Sequence, residues 1–418
     1  MNKVEIMAPA GSFESLMSAI KAGADSVYFG VEYLNMRANS ANNFKLKDLK
    51  KIVSICKKNN VKCYLTLNII IYDEDLNLMR KICSAAKKHN INAIIASDMA
   101  VITYARSLGL KVYCSTQINT SNIESIKFYS QFADAIVLAR ELNLKQITNL
   151  CRKIKKENIK GPNGNLLQIE IFAHGALCVS IAGKCFMSLA AYNSSANRGA
   201  CFQNCRRSYR VIDEETGNEL LLENKYVMSP KDLCTITFLD KIIESGISIL
   251  KIEGRGRSAE YVYTTTKVYK EALESYYNDT LSKEKISNWL KELESVFNRG
   301  FWQGGYYLGN KLGEWSNYSG NKSTKEKYFL GLIKNYFSKP KIAELILQTD
   351  SLNKGDELLI IGPTTGVVKT EIKSIRINNQ EISSAKKRND VTIPVIEKVR
   401  KNDKVYLLKN KPITSENF

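Results

Sequence analysis

Five of the chain's ten cysteines fall between positions 178 and 234, as Cys178-x6-Cys185-x15-Cys201-x3-Cys205 followed by Cys234. Thiolates are soft ligands that select zinc or iron–sulfur clusters. Structural zinc favours paired C-x2-4-C knuckles. Only Cys201 and Cys205 approach that spacing, and the gap between Cys178 and Cys185 is too wide. The first four thiols lie within 28 positions and can fold around one cubane, so the pattern favours iron–sulfur over zinc or unligated thiols. There are two histidines, His89 and His174, which excludes a metal site built mostly of imidazoles. Cys56, Cys63, Cys83, Cys114 and Cys151 sit inside predicted strands and helices and read as small buried hydrophobes.

A second set of residues could do chemistry because of where it falls. Asn68, Asp98, Gln117 and Asn119, Arg140 and Glu141, and Lys251, Glu253 and Arg255 each terminate an apolar run. Any one of them alone reads equally well as an ordinary loop ion pair. Arg255 and Arg257 stand out in EGRGRS because a guanidinium fork matches a carboxylate bidentately. Arg37, in the loop after the second run, adds a third cation, and Glu253 is a candidate acid or base.

The elements that must position these residues are legible from hydropathy. Eight apolar runs, of the kind buried on both faces, begin at Val4, Ser26, Val61, Ile91, Lys111, Ala135, Leu166 and Ser248. Helical segments separate nearly all of them. Strict βα alternation predicts an α/β fold, a closed (β/α)8 TIM-like barrel, whose active site forms at the C-terminal ends of the strands. An open doubly wound sheet would carry a Gly-rich phosphate turn after its first strand; Pro9-Ala10-Gly11-Ser12 is no such turn. The rhythm breaks once, at a cysteine-rich insertion over 176–235 after strand seven. That is far longer than the roughly 2–6 residues of an ordinary βα loop.

We read 1–310 as the barrel domain, with one helix over 260–295. A linker over 311–327 leads to a small C-terminal all-β barrel over 328–418, with six short strands. The formal net charge is +19, a balance that favours a polyanionic partner such as nucleic acid, or a surface that is simply lysine-rich. From Gly320 onward there are 19 Lys and Arg against 11 Asp and Glu. The run Lys386-Lys387-Arg388 reads as a solvated turn or a phosphate contact. The N-terminus lacks an apolar signal region and no run reaches the ~18 residues of a spanning helix; the expectation is a cytoplasmic protein away from membranes.

The stretch EIFAHGALCVSIAGKCFMS, Glu170 to Ser188, resembles the signature of the peptidase U32 family, long described as collagenase-like. APAGSFESLMSAIKAGADSVYFG, MRANSANNF, RGACFQNCR, SPKDLC, LKIEGRGRS and NRGFWQGGYY are also similar to that family, and together they span the barrel. The resemblance implies several things. Several members of the family are oxygen-independent hydroxylases with a [4Fe–4S] cluster. One subgroup makes 5-hydroxyuridine at the wobble position of tRNA with prephenate as hydroxyl source, and another hydroxylates a cytidine of 23S rRNA. The length and the C-terminal β domain favour the tRNA subgroup. Cys178, Cys185 and Cys201 match the shared cluster positions; Cys205 is our choice for the fourth ligand, with Cys234 as the rival.

Prephenate carries two carboxylates, which Arg37, Arg140, Lys251, Arg255 and Arg257 are candidates to bind. Glu253, His174, Asn68, Asp98 and Gln117 are candidates for catalytic roles. The peptidase alternative finds little support in the residues. There is no H-E-x-x-H helix and no G-x-S-x-G elbow. A cysteine nucleophile paired with His174 remains conceivable, as does a plain core or loop histidine.

Overall fold

The computed structural model describes residues 3–39, 41–210, 212–217, 228–302, 305–309, 314–316 and 320–412. Parallel strands β1 (Glu5–Pro9), β2 (Ser26–Gly30), β3 (Lys62–Leu67), β4 (Ala93–Ala96), β5 (Val112–Cys114), β6 (Ala135–Val137) and β7 (Gln168–Gly175) pair in sequence order. A short strand β8 (Asp232–Cys234) follows the insertion, and β9 (Ile249–Ile252) pairs in parallel with both β7 and β1. That double pairing closes an eight-stranded barrel from β1–β7 and β9, as the alternation predicts. β8 runs antiparallel to the end of β7, with His174 opposite Cys234, and pairs with a two-residue strand β10 (Phe301–Trp302).

The strands are buried on both faces, but the two faces differ. Met7, Tyr28, Tyr64, Ile95, Tyr113 and Ile249 point into the barrel. Alternate residues such as Val27, Phe29 and Leu65 meet the apolar stripes of the surrounding helices. These helices are α1 (Phe13–Lys21), α2 (Leu49–Lys58), α3 (Leu76–Lys88), α4 (Met99–Ser107), α5 (Ile123–Ser130), α6 (Leu144–Lys156), a short α7 (Met187–Tyr192) inside the insertion, α8 (Leu239–Glu244) and α9 (Ala259–Tyr277). Leu16, Ile52 and Ile82 are fully buried on α1, α2 and α3, each contributing about 1.5–3 kcal/mol of burial energy. Starts are set by capping: the Ser12 hydroxyl accepts from Ser15 N at 3.2 Å, and Asn143 and Gln146 form a reciprocal box at the start of α6.

The helix expected over 260–295 is two helices. α9 stops at Asn278, Asp279 takes a left-handed φ of 53°, and Ser282 caps a new helix α10 (Lys283–Glu294) by accepting from Lys285 N at 3.2 Å. A four-residue helix α11 (Gly305–Leu308) follows β10. Part of the expected linker, 311–313 and 317–319, lies outside the described residues.

The C-terminal unit is all-β, as expected, with more strands than the six read from sequence. β11 (Lys325–Phe337), β12 (Ile342–Leu347), β14 (Glu357–Gly362), β15 (Gly366–Glu371), β16 (Ile375–Ile377), β17 (Gln380–Ile382), β19 (Asp390–Pro394) and β20 (Lys404–Asn410) form one antiparallel sheet around its own core. β13 (Leu352–Asn353) and β18 (Ser384–Ala385) make a separate two-stranded ladder. β15 and β16 are separated by residues 372–374. Along β14, Leu358 and Ile360 face the domain core, while Leu359 and Ile361 face the barrel, where they pack with Ala259, Tyr263, Val367, Tyr406 and Leu408. Ion pairs cross the same seam from Lys327 to Glu260 and, at 2.7 Å, from Lys21 to Glu397. No helix among the described residues is long and apolar enough to cross a membrane.

Candidate active site at the barrel mouth

One cavity sits over the C-terminal ends of the barrel strands, roofed by the insertion. Its floor comes from inward-facing strand positions. Lys251 on β9 reaches Glu170 on β7, Nζ to Oε1 at 2.7 Å. Glu170 is wholly enclosed and its second carboxyl oxygen has no partner. Burial raises the Glu170 pKa, and the nearby lysine opposes that rise. Lys251 also lies 4.5 Å from the ring centroid of Tyr28.

Two residues further along β9's direction, Glu253 is ion-paired with Arg37, Nη2 to Oε1 at 2.6 Å and Nε to the same oxygen at 3.1 Å. Burial alone would raise the Glu253 pKa. Arg37, Arg140 and Arg255 together outweigh it, and the carboxyl is held down at about 2. Its negative charge raises the pKa of Arg37 in turn. Arg255, the next inward position, is 4% exposed and donates to Thr66 Oγ1 at 3.1 Å. Burial lowers its pKa to about 10, still charged at neutral pH. Tyr28 donates its hydroxyl to Ile252 O at 2.9 Å. Burial, and then the Glu253 charge, push its pKa well up.

The opposite rim is neutral and polar. Asn68 donates to Ser115 Oγ and Gln117 Oε1, both at 3.3 Å, and accepts from Met36 N at 3.3 Å. Ser115 also donates to Gln117. Arg140 lies 4.2 Å over the Phe172 ring and donates to Ala176 O at 3.5 Å. Its buried Nε has no protein partner.

The insertion supplies the remaining wall. Cys178, Cys185, Cys201 and Cys205 all line this cavity. Burial raises the Cys205 thiol pKa; Arg206 lowers it, and the charges of Cys178, Cys201 and Cys185 raise it. Cys201 Sγ accepts from Gln203 N at 3.4 Å, with Gln203 in the left-handed region at φ 55°. Among the described residues, no three His, Cys, Asp or Glu side chains are grouped so as to hold a single metal ion. The insertion is pinned over the barrel by the ion pair from Arg198 to Asp75 and by Ile70 N donating to Asn197 O at 3.1 Å. Arg206 ties its base by donating to Leu177 O and Ser229 Oγ.

Thus Asn68, Gln117, Arg37, Arg140, Lys251, Glu253, Arg255 and the four clustered cysteines meet at one cavity. Six sequence candidates lie elsewhere, Asn119 and Glu141 among them. Asp98 caps α4, accepting from Ala100 N at 2.8 Å and Ile71 N at 3.0 Å. Arg257 stacks 3.5 Å from the Phe297 ring centroid and lines the cleft between the barrel and the C-terminal domain. His174 is 1% exposed among Tyr261, Tyr269 and Phe301, and burial lowers its pKa to about 3. Cys234 is fully enclosed behind it, its thiol pushed by burial up to about 12.

Tyr28, Thr66, Ser115, Phe172 and Glu170 are cavity or floor residues that sequence reasoning missed. Part of their signal was parity: Tyr28 on β2, Thr66 on β3 and Glu170 and Phe172 on β7 hold inward strand positions, whereas Ser115 follows the end of β5 and only the turn after it brings Gln117 alongside.

A model described as peptidase family U32 matches residues 11–317. A collagenase of Porphyromonas gingivalis is 54% identical over 97% of this chain and 98% of its own length. An uncharacterized protease of Methanocaldococcus jannaschii is 40% identical over 98% of this chain and 99% of its own. The tRNA hydroxylation protein P1 of Bacillus subtilis is 32% identical over 86% of this chain and 84% of its own.

Proposed function

The chain belongs to peptidase family U32, and from that premise we propose that it is an RNA-modifying hydroxylase rather than a peptidase. The specific reading is a tRNA hydroxylase that forms 5-hydroxyuridine at the wobble position with prephenate as hydroxyl donor. One observation carries it: four thiols from the insertion line the same cavity as Arg37, Arg140, Arg255 and Lys251 from the barrel. The named activity of the Bacillus subtilis relative supports the substrate class.

What supports an iron–sulfur cluster is the donor set, which is all sulfur and shares one wall. A tetrahedral zinc would draw its sulfurs to within about 4 Å of one another, given Zn–S bonds near 2.3 Å. A polynuclear cluster spaces its thiolates more widely than a single zinc does, and all four cysteines line the same cavity. Cys178, Cys185, Cys201 and Cys205 are the proposed ligands. Such a cluster, when bound through all four thiolates, would supply one-electron redox chemistry at the cavity wall.

The remaining work falls to side chains. Arg255 and Arg140, which both line the cavity, hold the carboxylates of the co-substrate. Glu253, ionised at any physiological pH, positions Arg37 rather than moving a proton. Asn68, Ser115 and Gln117 form a neutral donor–acceptor row suited to the amide edge of a uracil. The base must leave its stack to reach this depth.

The names of the nearer relatives favour a peptidase reading, yet the cavity offers it no base. Neither His174, enclosed and held neutral, nor His89, at the end of α3, reaches the cysteine wall. Three measurements test the proposal together. Anaerobically purified protein should contain iron and sulfide. Nucleosides from tRNA of a deletion strain should lack 5-hydroxyuridine and regain it with this gene. Gelatin should stay intact. Unchanged tRNA with altered 23S rRNA would move the substrate to the ribosome, and gelatin cleavage by pure protein would reject the hydroxylase reading.

A further inference from the structure

The outer face of the insertion carries a feature that the cavity chemistry does not use. From Ala176 to Arg210 there is no Asp or Glu, while Lys184, Arg207 and Arg210 are exposed cations; Arg198 and Arg206 are engaged by Asp75 and at the base of the insertion. In the same stretch Phe186 is 76% exposed, Phe202 52% and Tyr192 45%. Aromatic rings set in water forgo burial energy, and a group of them on a soluble surface marks an interaction site. Two of these rings are already arranged: Tyr192 and Phe202 lie with centroids 5.0 Å apart. Arg207 stands 5.3 Å from the Tyr192 centroid and donates to its hydroxyl. The backbone beneath is fixed, because Ser188 Oγ accepts from Phe202 N at 3.0 Å and Asn204 Nδ2 donates to Met187 O at 3.1 Å.

This face is continuous with the cavity. Phe186 follows Cys185 and Phe202 follows Cys201, and both cysteines line the cavity wall. Whatever lies on the rings therefore neighbours whatever enters the mouth. Exposed cations on a segment that itself carries no carboxylate favour a polyanion, and flat rings beside guanidinium planes favour stacked heterocycles. Single-stranded nucleic acid combines both properties, with bases for the rings and phosphates for the exposed Lys184 and Arg210. A duplex hides its bases from such a surface.

We infer that this aromatic–arginine face is a stacking platform for unpaired RNA, receiving the bases that flank the one taken into the cavity. The inference rests on the RNA reading above and deepens it: the loop that carries the target base is gripped through the faces of its neighbouring bases rather than through groove shape.

The test is fluorescence anisotropy of the anaerobic holoprotein with an anticodon-type stem–loop RNA and with a paired duplex of the same stem. Phe186→Ala and Phe202→Ala remove rings that are mostly in water, so the fold should survive. Each should weaken stem–loop binding about 10-fold, the effect of one lost base–aromatic stack, and leave duplex binding unchanged. Phe202→Tyr, which keeps a ring beside Cys201, should bind as the parent does; that separates stacking from disturbance of the cysteine wall. If the parent prefers the stem–loop and both Ala variants bind it equally well, the platform is wrong while the RNA reading stands. If the parent binds neither RNA, both fail. If the Ala variants instead lose binding to gelatin or anionic vesicles and keep RNA, the face serves another partner and the inference is overturned.

Discussion

The charge balance of the cavity turns on Glu253. Three arginines surround it, and its carboxyl is held at about 2 against an ordinary value near 4.5. A depressed carboxyl stabilises the fold fully above its unfolded pKa, and that contribution is lost as pH falls from about 4.3 toward 2. Glu253→Gln leaves Arg37, Arg140 and Arg255 facing one another uncompensated. We expect a loss of about 3 kcal/mol, seen as a lower urea midpoint at pH 7, with the variant less sensitive than the parent to acid between those two values. His174 titrates in the opposite sense from a ligand awaiting protonation. Its pKa is lowered to about 3, so between its unfolded value near 6.5 and that limit the unfolded chain binds the extra proton, and stability falls as pH falls. His174→Gln should flatten the stability profile over that window. An activity profile from pH 6 to 8 should show no step from His174; a step that this substitution abolished would return the residue to the catalytic set.

The glycines at the ends of β1 and β2 show how closely the elements meet around Arg255. A Cβ at Gly11 would lie 2.0 Å from the Arg255 carbonyl oxygen, and backbone there cannot yield. Gly11→Ala should destabilise the barrel by about 3 kcal/mol, at the severe end of overpacking, measurable as a fall in Tm. A Cβ at Gly30 would meet the Arg255 guanidinium at 2.3 Å and Asn35 Cγ at 2.7 Å. A guanidinium can swing away, so Gly30→Ala should cost stability less and binding more. The expected signature is a raised KM for the carboxylate co-substrate, with a smaller change in Tm than Gly11→Ala produces. The insertion behaves as an element of its own: Cys178→Ala or Cys185→Ala should remove the visible absorbance of the proposed cluster, and Cys234→Ala, behind β7, should keep it.

For the whole molecule, the seam between barrel and C-terminal sheet decides whether the two move as one. Leu359 and Val367 are fully or almost fully buried there although they point away from the sheet's own core. Leu359→Ala should cost roughly 2–5 kcal/mol and separate one calorimetric transition into two, with the barrel's cavity intact. A single unchanged transition would mean that the seam contributes little. The net charge of +19 gives a second expectation at this scale: RNA affinity should fall steeply with salt, since each neutralised phosphate releases condensed counterions.

The alternation of eight apolar runs and the break at 176–235 were sufficient to specify the closed barrel, because hydropathy period and loop length are local properties of a chain. The four cysteines were legible for the same reason, since their spacing lies within one segment. Parity along each strand already carried Tyr28, Glu170 and Phe172. What sequence could not supply was distance between remote positions and the energy of burial. Arg37 meets Glu253 only because β9 closes against β1, which sets the loop after β2 beside the end of β9. His174 and Asp98 have the right chemistry for a site, but His174 turns outward among aromatics at the irregular end of β7, and Asp98 is engaged by backbone amides at the start of α4. Cys205 and Cys234 are equivalent as types; one lines the cavity and the other is sealed behind a strand. Charge states were hidden likewise: a carboxyl held at 2 and an imidazole held neutral depend on neighbours and solvent access, and only tertiary packing provides those.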